Sequence, residues 1–173
     1  MGYVTRHAGR MRVVLQRYAA SNGPRLLRLS LGLVFVWFAL PKFVPDLSAM
    51  DPLAVDTITV LSFGAVTGDL ARLLLAALEA GIGLGLLTGR AMPLVSAALL
   101  GHLAGTFTPL ILFADRMWTA PLVPGLEAQF ILKNIVLVAA GVAVAGAQQR
   151  RSPAPGPVAV RERAVPAQRG VLR

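Results

Sequence analysis

Hydrophobic residues fall into four long runs that are separated by short polar segments. The runs cover residues 26–44, 70–88, 91–113 and 127–147. Each run is close to the roughly 20 residues that an α-helix needs to cross the hydrocarbon core of a bilayer. The pattern therefore predicts an all-α fold, a four-helix transmembrane bundle that occupies residues 26–147.

The segments between and beyond these runs predict smaller features. Asp51 followed by Pro52 is typical of an N-cap residue and a proline in the first turn of a helix, so the first outer loop is expected to hold a short interfacial helix. Residues 1–25 read as a basic N-terminal segment. Residues 148–173 are rich in proline and arginine and have no apolar period, which predicts a disordered basic tail.

Small residues recur along the predicted helices at spacings that allow close helix approach. They occur in the stretch GIGLG at 81–85, at Gly101 with Gly105, and at Gly141 with Ala145. Such spacings predict compact packing of membrane helices and carry no chemistry by themselves.

Composition narrows the class of protein. The chain of 173 residues is 55% apolar and contains no cysteine. A disulfide or dithiol mechanism, thiolate metal ligation and iron–sulfur clusters are therefore excluded within this chain. Any redox chemistry would need a non-covalent cofactor such as a quinone, or a partner that carries one.

The net charge of +9 is distributed very unevenly. Thirteen of the 17 basic residues lie before the uncharged part of the first run, which begins at residue 29, between the second and third runs, or after the fourth. Most acidic residues lie in or beside the two other connections: Asp46, Asp51, Asp56, Asp69, Asp115 and Glu127. The positive-inside rule predicts a multi-pass protein of the inner or plasma membrane with both termini cytoplasmic. Anionic lipid explains the arginines better than nucleic acid does, so no nucleic-acid partner is expected.

Several ionisable side chains lie inside the predicted spans. Counting about 1.5 Å per residue from the predicted outer helix ends places Lys133 about 9 Å, Glu79 about 13 Å and His102 about 16 Å deep. Each such group costs roughly 2.5 to 3.5 kcal/mol when it is unpaired in a membrane. We therefore expect these groups to face one another, with Lys133 balanced by Glu79.

Other polar residues would support that pair. Gln129 lies one turn from Lys133, Asn134 could bridge to an adjoining helix, and Arg72 shares a helix face with Glu79. Lys42 would join the pocket or pair with Asp46 at the rim. The candidate pocket for a ligand or a proton comprises Lys133, Glu79, Asn134, His102, Lys42, Gln129 and Arg72.

Two interpretations of these residues remain open. Glu79 and Lys133 could form a structural ion pair that fixes the helix register. Alternatively, together with Asn134 and His102, they line a pocket that handles a proton, a quinone carbonyl or a small anion. His102 could instead simply bond to a neighbouring helix. A haem held by two histidines of this chain is not expected, because the only other histidine, His7, precedes the membrane on the basic side, and no metal site is predicted.

Four stretches together resemble the DoxX-like and DoxD-like (YkgB-type) membrane proteins. They are LRLSLGLVFVWFALPKFVPD, ALEAGIGLGLLTGR, GHLAGTFTPLILF and EAQFILKNIVLVAAG, and the likeness covers about residues 26–147. The resemblance implies a four-helix transmembrane bundle with polar positions at Lys42, Glu79, Lys133 and Asn134. For DoxD-type relatives it implies a subunit of a thiosulfate:quinone oxidoreductase. The sequence departs from the family pattern at Ala39, where relatives often have glycine.

The function that follows from these observations is a small membrane subunit of a redox or oxidative and sulfur-stress system. It would bind a quinone-like or small sulfur-containing ligand and act with a membrane or cytoplasmic redox enzyme. Association of the chain into a homo-oligomer is an open alternative. The alternative is a non-catalytic membrane scaffold or assembly factor whose buried charges are structural. A proton-linked transporter fits poorly, because the chain shows no inverted repeat.

Overall fold

The computed structural model describes residues 2–45, 47–48 and 50–149. In this part of the chain the fold is all-α, apart from one small hairpin, and contains four segments long and apolar enough to cross a membrane. They are Met11–Lys42, Gly68–Thr88, Met92–Leu112 and Leu126–Gln148. The predicted four-helix transmembrane bundle is confirmed, and the predicted tail at 150–173 lies outside the described residues.

The residues that the structure describes form eight helices and two strands. They are α1 Gly2–Lys42, α2 Asp51–Leu61, α3 Gly68–Thr88, α4 Met92–Gly105, α5 Pro109–Leu112, α6 Ala114–Met117, β1 Trp118–Ala120, β2 Val123–Pro124, α7 Leu126–Leu132 and α8 Asn134–Gln149. The strands β1 and β2 pair antiparallel. We call the end of the bundle that carries α2, α5, α6 and the hairpin the acidic end, and the opposite end, with Arg28 and Arg90, the basic end.

Several helix boundaries differ from the prediction. The first helix begins at Gly2 rather than at residue 26, so residues 2–25 continue it instead of forming a separate segment. The third run is split after Gly105, because Pro109 has no N–H to bond the Gly105 carbonyl. The Thr108 hydroxyl, at 2.8 Å, donates to that carbonyl instead.

The fourth run is also interrupted, at Lys133. The amide of Val136 donates to the Lys133 carbonyl three residues earlier, at 3.1 Å, which is the tighter bonding of a 3₁₀ turn. The sequence predicts one continuous helix over 127–147, and the structure divides it into α7 and α8. The break lies beside the candidate pocket.

The predicted interfacial helix is confirmed as α2, although its N-cap is not Asp51. Met50 is the cap residue, and Asp51 is the first residue of the helix, with Pro52 next. The side chains of Leu53 and Thr57 are buried, so this helix packs into the acidic end of the bundle and does not only lie on its rim.

The interior of the bundle is apolar and closely packed where α1 crosses α3. Its core is formed by Leu31, Phe35, Ile82, Leu86, Val95, Leu99, Leu103 and Val144. A Cβ atom at Gly83 would lie 2.8 Å from the Val36 backbone nitrogen and 2.9 Å from the Gly32 carbonyl oxygen. The predicted close approach at GIGLG is therefore real at Gly83. At Gly101 and Gly105 the prediction is wrong, because nothing lies within 4 Å of a Cβ built there.

Most of the remaining helical surface is apolar and faces outward. Between 17% and 39% of each spanning window is buried inside the bundle. The exposed remainder includes Leu33, Trp37, Leu84, Leu94, Val136 and Val142. Because so much contiguous apolar surface would be costly in water, the lipid bilayer is the environment that fits this multi-pass chain.

Candidate functional site

A cluster of three ionisable side chains from three helices lies within the bundle. The Lys42 ammonium nitrogen, from α1, is 2.9 Å from Oε2 of Glu79 in α3. Nε2 of His102, from α4, is 3.4 Å from Oε1 of the same carboxylate. The three side chains are only 8%, 11% and 10% exposed, so their charges are largely removed from solvent. We call Lys42, Glu79 and His102 the polar cluster.

Lys42 reaches Glu79 because of the direction of helix side chains. Every Cα–Cβ bond in a helix tilts toward the N-terminus, so the side chain of Lys42, at the last residue of α1, points back into the bundle. Its ammonium also donates a hydrogen bond of 3.1 Å to the Phe38 carbonyl one turn earlier. Lys42 is thus anchored at the helix end while its charge lies deeper.

The predicted pair between Lys133 and Glu79 is wrong. Lys133 is exposed, and its ammonium lies 4.2 Å from the centre of the Phe130 ring, where it makes a cation–π contact. Among the described residues no carboxylate lies within 4.0 Å of it. Neighbouring residues of a helix point about 100° apart, so Lys133 faces outward while Ile131 and Asn134 turn toward the bundle.

The two amides that were expected to support Lys133 have other partners. The Asn134 amide nitrogen donates to the Thr106 hydroxyl at 3.3 Å, which confirms that it bridges to an adjoining helix segment. Gln129 is exposed, and its amide donates to the Pro124 carbonyl at 3.2 Å, so it lies outside the pocket. Asn134 therefore belongs to the site and Gln129 does not.

Arg72 is buried but is not shared with Glu79. Its guanidinium bonds to Oδ1 of Asp69 at 2.9 Å and also donates to the backbone carbonyl of Lys42. That carbonyl is at the C-terminus of α1, where oxygens have no partner in the helix and the helix dipole favours a cation. Arg72 therefore holds the end of α1 against α3, which fixes the backbone of Lys42. The alternative partner of Lys42, Asp46, lies outside the described residues.

His102 and Asp51 complete the surroundings of the carboxylate. The Phe35 ring packs edge-on against the His102 imidazole, with centroids 5.6 Å apart and planes at 73°, and so holds its orientation. Asp51 is buried and close enough to Glu79 for the two carboxylates to repel. Neither of its oxygens has a hydrogen-bond partner in the described part of the chain. The sequence pattern at Asp51 and Pro52 indicates the start of a helix but gives no sign that Asp51 is buried.

A largely apolar cavity of about 390 Å³ opens beside the polar cluster. Its walls come from α2, α3, the α4–α5 break and α7, with leucine, isoleucine and phenylalanine side chains predominating. Its polar groups are few: Lys42, Glu79, His102, Thr57, Thr106 and Asn134. An apolar volume with a few convergent polar groups is typical of a small-molecule site.

The helix α2 forms one wall of this cavity and is tied down at the acidic end. Arg116 lies 2.6 Å from the Glu127 carboxylate and 3.4 Å from Asp56 of α2. The hydrogen bond to Glu127 is the main cause that raises the pKa of Arg116 above its ordinary value. The same residue therefore connects the second loop of the acidic end to the wall of the cavity.

In the part of the chain that the structure describes, no three histidine or acidic side chains are grouped so that they could hold a metal ion. Comparison with protein-family models, with curated proteins and with solved structures gives no match. Fold and site together define a multi-pass membrane protein with a buried polar cluster beside an apolar cavity.

Proposed function

We propose that this protein is a small membrane subunit of a redox system that binds a quinone-like molecule in the cavity beside Lys42, Glu79 and His102. The observation that carries the proposal is the combination of a largely apolar volume of about 390 Å³ with these three groups at one place on its wall. A quinone has the matching form, since it has an apolar ring and tail and carbonyl oxygens that accept hydrogen bonds.

The polar cluster has the donors that such a head group needs. An ammonium group has three donors, and in Lys42 two acceptors are already near, the Glu79 carboxylate and the Phe38 carbonyl. The remaining N–H would donate a charge-assisted hydrogen bond to a ligand carbonyl. His102 and Glu79 would relay to the quinone oxygens the two protons that reduction to the quinol consumes. The two electrons would come from a partner enzyme.

The resemblance to DoxX-like and DoxD-like proteins supports the same proposal. It suggests a partner of the thiosulfate:quinone oxidoreductase type or another enzyme of oxidative and sulfur stress. The charge distribution supports a location in the plasma membrane with the basic end on the cytoplasmic side. The cavity would then open toward the outer half of the bilayer.

The proposal is tested with a photoreactive short-chain quinone and the purified full-length protein in detergent. Labelling should be saturable, should be prevented by an excess of the unmodified quinone, and should map to peptides of α2, α3 and α4. Because charge-assisted hydrogen bonds contribute about 1.5–3 kcal/mol, Lys42→Met should weaken binding at least tenfold.

The chain offers a matched control in its other intramembrane lysine. Lys133→Met removes an equal charge from the exposed surface and should leave quinone binding unchanged. The double variant Lys42→Met with Glu79→Gln removes both charges together, so a loss of binding there cannot be assigned to an unpaired carboxylate. Equal labelling of all three variants, or labelling spread over the whole lipid-facing surface, would overturn the proposal.

A second candidate is a membrane scaffold, which the close contacts of Lys42 and His102 with the Glu79 carboxylate favour. Paired buried charges of this kind can specify how helices pack without any chemistry. In that case the double variant Lys42→Met with Glu79→Gln would fold and would still be cross-linked to the same partner proteins in native membranes. A quinone-dependent partner interaction that is lost in the double variant would instead favour the redox subunit.

A further inference from the structure

A second cavity, of about 410 Å³, lies at the basic end of the bundle. We call it the basic pocket. It is lined by residues 24–28 of α1, the junction of α3 and α4, and the end of α8. It shares no lining residue with the cavity beside the polar cluster, and neither the proposed function nor the predicted site makes use of it.

Two arginines one turn apart on α1, Arg25 and Arg28, line this pocket. In the described part of the chain neither has a carboxylate within 4.0 Å. The described acidic residues of the loops belong to the acidic end. The positive charge of the basic pocket is therefore not neutralised by any described residue, although its walls shield it partly from solvent.

Arg28 is held in a fixed position. Its guanidinium donates to the Leu86 carbonyl near the end of α3 and packs against Gly89, whose φ of +71° places it in the left-handed region. A Cβ atom at Gly89 would meet the guanidinium, so only glycine allows this approach. The bond to Leu86 uses one N–H, and an arginine has five. The other N–H groups of the Arg28 guanidinium can therefore bind an anion without a change in the position of the side chain.

A third donor in the basic pocket has no acceptor among the described residues. The amide nitrogen of Gln148, on the last turn of α8, is fully buried, and no described residue accepts a hydrogen bond from it. A buried amide that lacks an acceptor is destabilising, and an oxyanion in the pocket would remove that penalty by accepting its hydrogen bond. The arginines and this amide thus converge from two helices on one small volume.

We infer that the basic pocket binds the phosphate group of an anionic phospholipid. Arginine forks match phosphate oxygens in geometry and charge, and basic pockets between membrane helices bind lipid head groups. The apolar lining residues Met92 and Val144 suit the glycerol and the start of an acyl chain. Free phosphate shares the same chemistry and lacks the apolar part.

The inference is tested by native mass spectrometry of the full-length protein in neutral detergent. The probes are phosphatidylglycerol, phosphatidylcholine and inorganic phosphate, each titrated separately. The protein should retain phosphatidylglycerol at least tenfold more strongly than phosphatidylcholine. Arg25→Gln should reduce that preference about tenfold, because one charge-assisted hydrogen bond is lost.

Arg25 is the variant of choice because it is exposed, whereas Arg28 also holds the end of α3. Gln148→Leu gives a second variant that changes no charge and should also weaken binding. The matched control is Arg17→Gln, an exposed arginine on the same helix but outside the pocket. An equal effect of Arg17→Gln would show diffuse attraction and overturn the inference. Inorganic phosphate that displaces phosphatidylglycerol at equal concentration would overturn the lipid assignment in favour of a soluble anion.

Discussion

At the scale of single residues, the fate of a buried charge depends on its partners. Glu79 has a cation and an imidazole within 3.4 Å, whereas the buried carboxylate of Asp51 has no hydrogen-bond partner among the residues that the structure describes. A carboxylate in the first turn of a helix gains only about 0.3–1 kcal/mol from the dipole. A buried polar group without a partner costs about 1–3 kcal/mol, and more when it is charged. For Asp51 the cost therefore outweighs the gain.

Replacing Asp51 should accordingly stabilise the protein. Asp51→Asn removes the repulsion from Glu79 and should raise the free energy of unfolding by about 1 kcal/mol. Denaturation of the purified protein in mixed micelles measures this change. The control is Asp56→Asn on the same helix, where an exposed contact to Arg116 is lost and the change should stay below about 0.5 kcal/mol. A loss of stability in Asp51→Asn would show that Asp51 has an attractive partner.

The direction of single side chains could not be predicted from the sequence. Counting depth along a helix placed Lys133 and Glu79 at similar levels, but depth does not give the direction of a side chain. The rotational position of the fourth span was nevertheless readable, because Ala128, Ile131, Gly141 and Ala145 mark its small and buried side. Asn134 lies near that side and Lys133 does not. Lys42 was not predicted as the main partner of Glu79, because its Cα lies at the rim of the bundle while its ammonium group reaches inward.

At the scale of helices, close approach of α1 and α3 sets the geometry of the polar cluster. Both helices contribute a glycine to the crossing, and each glycine lies against the backbone of the other helix. The sequence indicated such a crossing at residues 81–85 but could not tell which glycine makes it. The spacing of small residues is the same for a glycine that packs and for one that faces lipid. Only the position of the partner helix distinguishes the two.

This distinction gives a paired prediction for α3. Gly83→Ala would place a methyl group against the backbone of Val36 and should cost about 1–3 kcal/mol of unfolding free energy. Gly81→Ala has open space and should be neutral or stabilising by up to about 1 kcal/mol, because alanine favours helix. Unfolding of both variants in the same detergent provides the comparison. Equal destabilisation of the two would contradict the crossing described here.

At the scale of the whole molecule, the sequence predicted the architecture well because membrane spans have a strong signal. Four apolar runs of sufficient length predict four spanning helices, whatever the order of the apolar residues within each run. The breaks at Gly105 and Lys133 were missed, since a hydrophobic run does not show where one turn of helix tightens or ends. Both breaks border the cavity, so the weakest part of the prediction coincides with the candidate site.

Membrane orientation can be tested on the whole molecule because the chain contains no cysteine. Ser21→Cys lies at the basic end and Asp115→Cys at the acidic end, and both positions are exposed. In intact cells a membrane-impermeant maleimide should label Asp115→Cys and should reach Ser21→Cys only after the membrane is opened. The positive-inside rule requires this result. The reverse pattern of labelling would place the cavity on the cytoplasmic side.

The polar cluster and the cavity beside it are defined by the identity of the cation that neutralises Glu79. A double-mutant cycle on the unfolding free energy measures it directly, with Lys42→Met, Lys133→Met and Glu79→Gln singly and in combination. Residues in direct contact show coupling of about 0.5–3 kcal/mol, and residues without a shared partner couple by less than about 0.5 kcal/mol. We expect strong coupling between Lys42 and Glu79 and none between Lys133 and Glu79. Coupling of Glu79 to Lys133, with none to Lys42, would contradict the polar cluster and the cavity built on it.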